Sequence, residues 1–357
     1  MAAVSPLASE IMLRFAARTS VADATAAAAT RRYLWTDAFA VSNFLALGRA
    51  DLALALVDRV HHTLGRYSRQ DPRTGWLGGG DDEAREAHPT LGGLRIGKPM
   101  LERAPGQQLD ERLEWDRDGQ YFHYLTKWMH ALDQVARATR DPVFNGWARE
   151  LADVACRKFV HGSPPRMYWK LSVDLSRPLV PSMGQHDPLD GFVTCRELAT
   201  TAAELGGAGP TLADATATFA AMIDRRGLAT ADPLGIGGLL VDAERLARLP
   251  TRDRALIDVL LTSAMVGLEH YTAGADLDAR AAYRLAFREL GLAIGLSAAA
   301  AMSELTPGVE IAQLVSLRDE IEAFWVRPEH RASRAWMDHE DINDVMLATS
   351  LLRGKDR

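Results

Sequence analysis

The sequence predicts an all-α protein: an (α/α)6 toroid of six helical hairpins, forming a single domain over residues 1–357 with its long loops at one end. Three observations carry that prediction. Apolar residues recur at steps of three and four almost throughout, and strand-like alternation is scarce. The candidate helices fall into consecutive pairs joined by short links, which make antiparallel neighbours. Longer links separate the pairs, so short and long connections alternate. No exact internal repeat accompanies the alternation, and the prediction rests on spacing.

Taken in order, helices are expected over about 6–29, 33–47, 49–67, 119–138, 142–159, 188–205, 210–225, 235–248, 251–271, 277–300, 307–325 and 338–353. The fourth shows the pattern best: Tyr121, Tyr124, Leu125, Trp128, Met129, Leu132, Val135 and Ala136 make one apolar face. Asp141-Pro142 then stops that helix and starts the next. Short links follow about 47, 138, 205, 248 and 300. Long ones occupy about 68–118, 160–187 and 326–337, with medium ones at about 226–234 and 272–276. In the toroid, first members of the pairs form an inner ring and second members an outer ring. The long links then gather over the inner N-termini and line a funnel. The link at about 68–118 contains Gly78-Gly79-Gly80, Gly92-Gly93, Trp76, His88, Arg95, Lys98 and Arg103. That mixture predicts a folded lid, with room for a small β-hairpin.

Composition narrows the functional classes. A hydrophobic share of 47% over 357 residues supports a sizeable core without staples. The net charge is −6 and no basic tract stands out, so neither nucleic acid nor an anionic membrane is the expected partner. Cys156 and Cys195 fall inside apolar helical patterns and read as reduced thiols. Glu10 and Arg14 interrupt any leader-like apolar stretch, and no run reaches the roughly 18 apolar residues of a membrane span. A cytoplasmic location is expected. Composition leaves the oligomeric state open.

The candidate chemistry sits at the mouths of the expected inner helices. Glu114-Trp115-Asp116-Arg117-Asp118 packs three carboxylates, an arginine and an indole just before Tyr121. Carboxylates so spaced share a ligand or shift one another's pKa, although acidic residues at a helix start also complement its dipole. The stripe His123, Lys127, His130 and Gln134 continues from there; its two deeper members read as satisfied core groups. Trp35 and Asp37, beside Arg32, mark the first mouth, with Thr36 or Asp37 expected to cap. Trp169, His186, Asp187 and Asp190 mark another. Asp187 before Pro188 reads as an N-cap, which leaves His186 for proton transfer. Trp336, His339 and Glu340 mark the last, with Asp338 expected as its N-cap. No His-x-x-x-His or Cys-x-x-Cys spacing argues for a metal, and Gly78-Gly79-Gly80 lacks the Lys-Ser/Thr of a phosphate-binding loop. Neither metal nor cofactor is expected. No serine elbow occurs.

With those residues in place, the layout resembles the six-hairpin glycosidase superfamily of (α/α)6 toroids. Arg32-Tyr33-Leu34-Trp35-Thr36-Asp37-Ala38 also resembles the opening of the N-acylglucosamine and cellobiose 2-epimerases. The resemblance implies a small-molecule or oligosaccharide substrate and two enzymatic alternatives. In a glycoside hydrolase, Glu114, Asp116 and Asp118, with Asp190 or Glu340 across the funnel, supply paired carboxylates. In a sugar 2-epimerase, His186 and His339 remove and return a proton while Arg32 or Arg95 steadies the enediolate. Substrate contacts are expected from Arg32, Trp35, Asp37, His88, Arg95, Trp115, Tyr121, Trp169, Asp190 and Trp336. A non-catalytic carbohydrate binder or scaffold uses the same aromatic mouth.

Overall fold

In the computed structural model the structure describes residues 5–21, 31–305 and 311–353. The described residues are mostly helical, so the all-α class holds. The chain divides into two compact units, one made of Ala16–Ile223 and the other of Met1–Phe15 with Asp224–Arg357.

After α1 (Pro6–Arg18), the first unit contains α2 (Leu34–Ala46), α3 (Ala50–Leu64), the short α4 (Asp82–Ala87) and α5 (Glu111–Asp116), strand β1 (Gln120–Tyr121), α6 (Phe122–Thr139) and α7 (Pro142–Phe159). Strands β2 (Val160–His161), β3 (Arg166–Met167), β4 (Lys170–Leu171) and β5 (Pro178–Val180) precede α8 (Asp187–Leu205) and α9 (Ala213–Met222). The second unit adds α10 (Pro233–Arg248), α11 (Arg254–Gly274), α12 (Ala286–Ala301), α13 (Ile311–Trp325), the short α14 (Pro328–Arg331) and α15 (Arg334–Met337), and α16 (Glu340–Arg353).

In the Ala16–Ile223 unit, α6 packs between α2 and α8, while α3, α7 and α9 each return beside the helix before them. Phe122, Phe159 and Phe219 meet at the centre, with ring centroids 5.6 and 5.4 Å from Phe122. A Cβ on Gly191 of α8 would come within 3.0 Å of Phe122 and Phe219, so these rings need a residue without one. Asp133 of α6 accepts from Asn145 of α7 at 2.8 Å and Thr201 of α8 at 2.9 Å. The buried carboxyl thereby ties three helices together.

α6 and α8 also meet along a polar seam. His123 faces Asp187 at 3.8 Å, Lys127 pairs with Asp190 at 2.8 Å, His130 with Glu197 at 2.9 Å and Arg137 with Glu204 at 3.0 Å. The stripe seen on α6 in the sequence is therefore answered by carboxylates on α8.

Three antiparallel pairings hold the links together: β1 with β4, β4 with β5, and β2 with β3. The 68–118 link contains α4, α5 and an isolated bridge at Met100–Arg117, and is tied to the preceding segment by one at Arg66–Trp76, with the strand pairs displaced to 120–180.

In the other unit, α12 lies against α10, α13 and α16. Its backbone approaches α10 so closely that Gly237 has no room for a Cβ against the Gly291 carbonyl. Glu289 takes a bidentate bond from Arg284 and a 2.7 Å bond from Trp325 Nε1.

Several helix starts differ from expectation for local reasons. α12 begins at Ala286, after a turn in which the Asp276 side chain accepts from the Asp278 N–H and a short 3-10 turn at Ala281–Tyr283. α16 begins at Glu340, and Asp338 instead ends α15. α1 ends at Arg18; residues 22–29 of the expected helix, like 307–310 of a later one, lie outside the described residues.

Candidate functional site

Two layers of side chains lie within the Ala16–Ile223 unit. The first is an ion-pair layer beneath the 68–118 link. Gln120 of β1 anchors that link by accepting from Leu94 N at 2.8 Å and donating to Gly92 O at 3.0 Å and Val173 O at 2.7 Å. Buried Lys170 of β4 donates to Glu114 Oε1 at 3.0 Å and to the Glu114 and Arg117 carbonyls at 2.6 and 2.9 Å. Arg103 takes the other Glu114 oxygen at 3.1 Å. Asp118 pairs with Arg95 through one oxygen. Its other oxygen accepts from the N–H groups of Gly97, Lys98 and Gly119 at 3.0, 3.3 and 3.0 Å. Glu114 and Asp118 thus have both oxygens engaged, while Asp116 is exposed at the end of α5.

The second layer is aromatic. Trp169 packs on Tyr121 (centroids 5.0 Å apart), and Tyr121 on Tyr124 at 5.2 Å. Trp35 approaches Tyr124 at 5.3 Å, and the Tyr33 and Tyr124 hydroxyls are bonded at 2.6 Å. Burial raises both phenols, so they stay protonated donors. Trp115 stands edge-on to Trp169 at 4.8 Å and is 53% exposed, the outermost ring of the cluster. Lys170 Nζ lies 5.4 Å from the Tyr121 ring centre and joins the two layers.

His123 lies against this cluster, stacked with Tyr121 at 5.3 Å and with Trp169 at 5.9 Å. Its Nδ1 faces Asp187 Oδ1 at 3.8 Å, and neither Nδ1 nor Asp187 Oδ2 has a protein hydrogen-bond partner. Asp187 is only 5% exposed. Burial, reinforced by the neighbouring Asp190, pushes its carboxyl up to about 7. Burial draws the His123 imidazole down to about 4 despite the attraction of Asp190. Near neutrality the pair is therefore a carboxyl about half protonated beside an uncharged base. Asp190, one turn along α8, is held by Lys127 Nζ at 2.8 and 2.9 Å and Thr126 Oγ1 at 2.6 Å.

Asp187 does not cap its helix. His186 occupies the N-cap without a side-chain cap bond, and Asp187 is the first helical residue, with Pro188 following. Gly184 packs directly on the carboxyl: a Cβ there would lie 2.5 Å from Oδ2. His186 itself is half-buried.

Trp35, Tyr121, Trp169 and Asp190 thus share one region, with Glu114, Arg95 and Asp118 in the adjoining layer. Buried Arg32 and Asp37 pair with each other at 3.4 Å, and Asp37 accepts from Tyr33 N at 3.3 Å, bracing the start of α2. Tyr33, rather than Thr36 or Asp37, is the N-cap. His88 is exposed and bonds Glu150 of α7 at 2.6 Å. In the other unit His339 is exposed and Glu340 half-buried. Trp336 is 2% exposed and packs on Trp325 at 5.5 Å, which makes it a core residue of that unit.

Sequence reasoning passed over His123, Tyr124 and Lys127 as site residues and read Asp187 as a cap. The available signal was the pairing of His123 and Lys127, four apart on one helix, with Asp187 and Asp190, three apart on another. Among the described residues, no group of three or more His, Cys, Asp or Glu is arranged to hold a metal ion. Comparison with protein-family profiles, curated proteins and solved structures finds no match to this chain.

Proposed function

We propose that this chain is a carbohydrate-active enzyme, a glycoside hydrolase in which Asp187 is the proton donor. One observation carries the reading: a buried carboxyl without a hydrogen-bond partner for Oδ2, pushed up to about 7 so that a large fraction keeps its proton near neutrality, beside an aromatic cluster. A general acid works best with a pKa near the working pH. Desolvation that raises a carboxyl is how a hydrolase keeps its donor loaded. Half-buried Trp169 and exposed Trp115 suit the apolar face of a sugar, with the buried rings of Trp35 and Tyr121 behind them. Asp190, fixed by Lys127 and Thr126, supplies negative charge one turn away to stabilise an oxocarbenium-like transition state. Glu114 and Asp118 then serve as supports of the 68–118 link, since their oxygens are engaged.

A second reading is favoured by His123. Its Nδ1 is unpartnered and its imidazole uncharged at neutral pH, as a proton-abstracting base requires. In a sugar epimerase, His123 removes the proton beside an open-chain carbonyl and Asp187 returns it. The (α/α)6 toroid belongs to the same proposal. In each unit successive long helices stand side by side, accompanied by the helices that follow them, which is the local pattern of that fold.

Proton NMR of the protein with a panel of reducing sugars and oligosaccharides in deuterated water tests both readings. New reducing ends, lost in Asp187→Asn, support hydrolysis. Deuterium at C2, lost in His123→Ala, supports epimerisation. Turnover that survives both substitutions rejects this site.

A further inference from the structure

Lys98 is left unused by that chemistry, yet it is held in a defined place. Ile96 accepts from Leu34 N at 3.1 Å and donates to Gly119 O at 2.8 Å, so the segment is pinned on both sides. Gly97 (φ +94) has no room for a Cβ against the Arg32 carbonyl, and both it and Lys98 donate their N–H to Asp118. Lys98 therefore leaves the link from a fixed base, half-buried.

Its ammonium has no ion-pair partner among the described residues, whereas Arg95 is paired with Asp118, and Lys170 and Arg103 with Glu114. Arg31 and Arg117 donate to the carbonyls of Gly97 and Leu101, both at 3.4 Å. Lys170 and Arg31 act on the Lys98 ammonium as like charges, and Asp116 and Asp118 as opposite ones. Burial, then Lys170, lowers the Lys98 ammonium against the pull of Asp116 and Asp118. A half-buried cation without an ion-pair partner is stabilised by an incoming anion. Lys170 borders Tyr121, so this layer adjoins the aromatic cluster.

We propose that Lys98 anchors an acidic substituent of the ligand, so that the site takes an anionic carbohydrate, a uronate or a sugar phosphate, in preference to a neutral sugar. The sugar body rests on the carbohydrate reading above; the anion anchor does not.

Calorimetric titration of the full chain with glucose, glucuronate, glucose 6-phosphate and inorganic phosphate tests it. At low salt the two charged sugars are expected to bind about tenfold more tightly than glucose. The preference should fall in about 0.5 M NaCl, where charges are screened. Lys98→Met should abolish it, with glucose binding and melting temperature unchanged, and Lys98→Arg should retain it. The two sugar arms separate carboxylate from phosphate recognition. Equal affinity for glucose and both charged sugars, failure of both anions to bind, or a preference that survives Lys98→Met overturns the proposal. If inorganic phosphate and the charged sugars bind through Lys98 but glucose neither binds nor turns over, the anchor stands and the neutral-sugar reading falls.

Discussion

Glu114 and Asp118 at one end of the 68–118 link, and Asp187 at the start of α8, are all buried carboxyls in the same unit, yet their surroundings differ. The first two are bonded on both oxygens to lysine, arginine and backbone N–H groups. Asp187 lies 3.8 Å from an imidazole, with one oxygen unpartnered, and its carboxyl is pushed up to about 7. Burial is common to all three; hydrogen-bond satisfaction is not. A satisfied buried charge specifies structure, whereas an unsatisfied one costs stability and is retained where chemistry uses it.

The sharpest way to break this comparison is to remove the charge from each side in turn. Asp187→Asn is expected to lower turnover by about 10²–10⁴-fold, the usual contribution of a positioned acid. It should not lower the melting temperature near neutrality, because it removes a carboxyl that ionises unfavourably in the fold. Steady-state kinetics beside calorimetry measures both. Full turnover in this variant would remove Asp187 from the chemistry.

The converse substitution comes next in size. Lys170→Met leaves buried Glu114 with one fewer charged partner and two carbonyls without their donor. Breaking a buried pair on one side costs about 3–5 kcal/mol, here read as a lowered urea midpoint at unchanged slope. A loss under about 1 kcal/mol would mean that Arg103 alone satisfies Glu114.

These contrasts explain what was legible in the sequence. Helical periodicity located the long helices, since burying one face of a helix fixes a step of three and four. α2 covers Leu34–Ala46 and α7 covers Pro142–Phe159, close to the spans expected. The aromatic cluster was partly legible, because Trp35, Tyr121 and Trp169 stand at helix and strand starts. The partners of the carboxylates were not. Lys170 is 56 residues from Glu114, and Arg95 is 23 from Asp118. Counting carboxylates along the chain therefore pointed to the satisfied cluster. Asp187 looked like a cap because the Asp-Pro pair fits one, but His186 takes that position. The same local rule erred at Asp338, which closes a short helix instead of opening the last one.

A third test uses pH. Asp187 binds its proton more tightly in the folded chain, at about 7 against the ordinary carboxyl value. Its stabilising contribution is full below about 4 and is lost as pH rises towards 7. His123 acts with the opposite sign. Its folded value of about 4 lies below the ordinary 6.5, so its contribution is full above 6.5 and is lost as pH falls towards 4. Asp187→Asn should therefore remove the downward slope of stability between about 4 and 7, by a few kcal/mol. His123→Ala should leave that slope and remove the opposing one. Melting curves across this range measure both, and identical pH profiles in the two variants would show that the groups are not tuned as described.

The smallest expected effect concerns the outer edge of the aromatic layer. Trp115 is more than half exposed and touches Trp169 edge-on, so Trp115→Ala should change stability by less than about 0.5 kcal/mol. Trp169 also packs on Tyr121 and His123. Trp169→Ala should cost about 1–3 kcal/mol and loosen the imidazole. If the rings form a continuous face for a sugar, Trp115→Ala weakens binding of an oligosaccharide several-fold while sparing a monosaccharide, and Trp169→Ala weakens both. Intrinsic fluorescence titration separates the cases. Equal loss for short and long ligands in Trp115→Ala would place the outer ring at the same sugar as the inner ones, whereas no loss for either would confine recognition to Tyr121, Trp169 and Trp35.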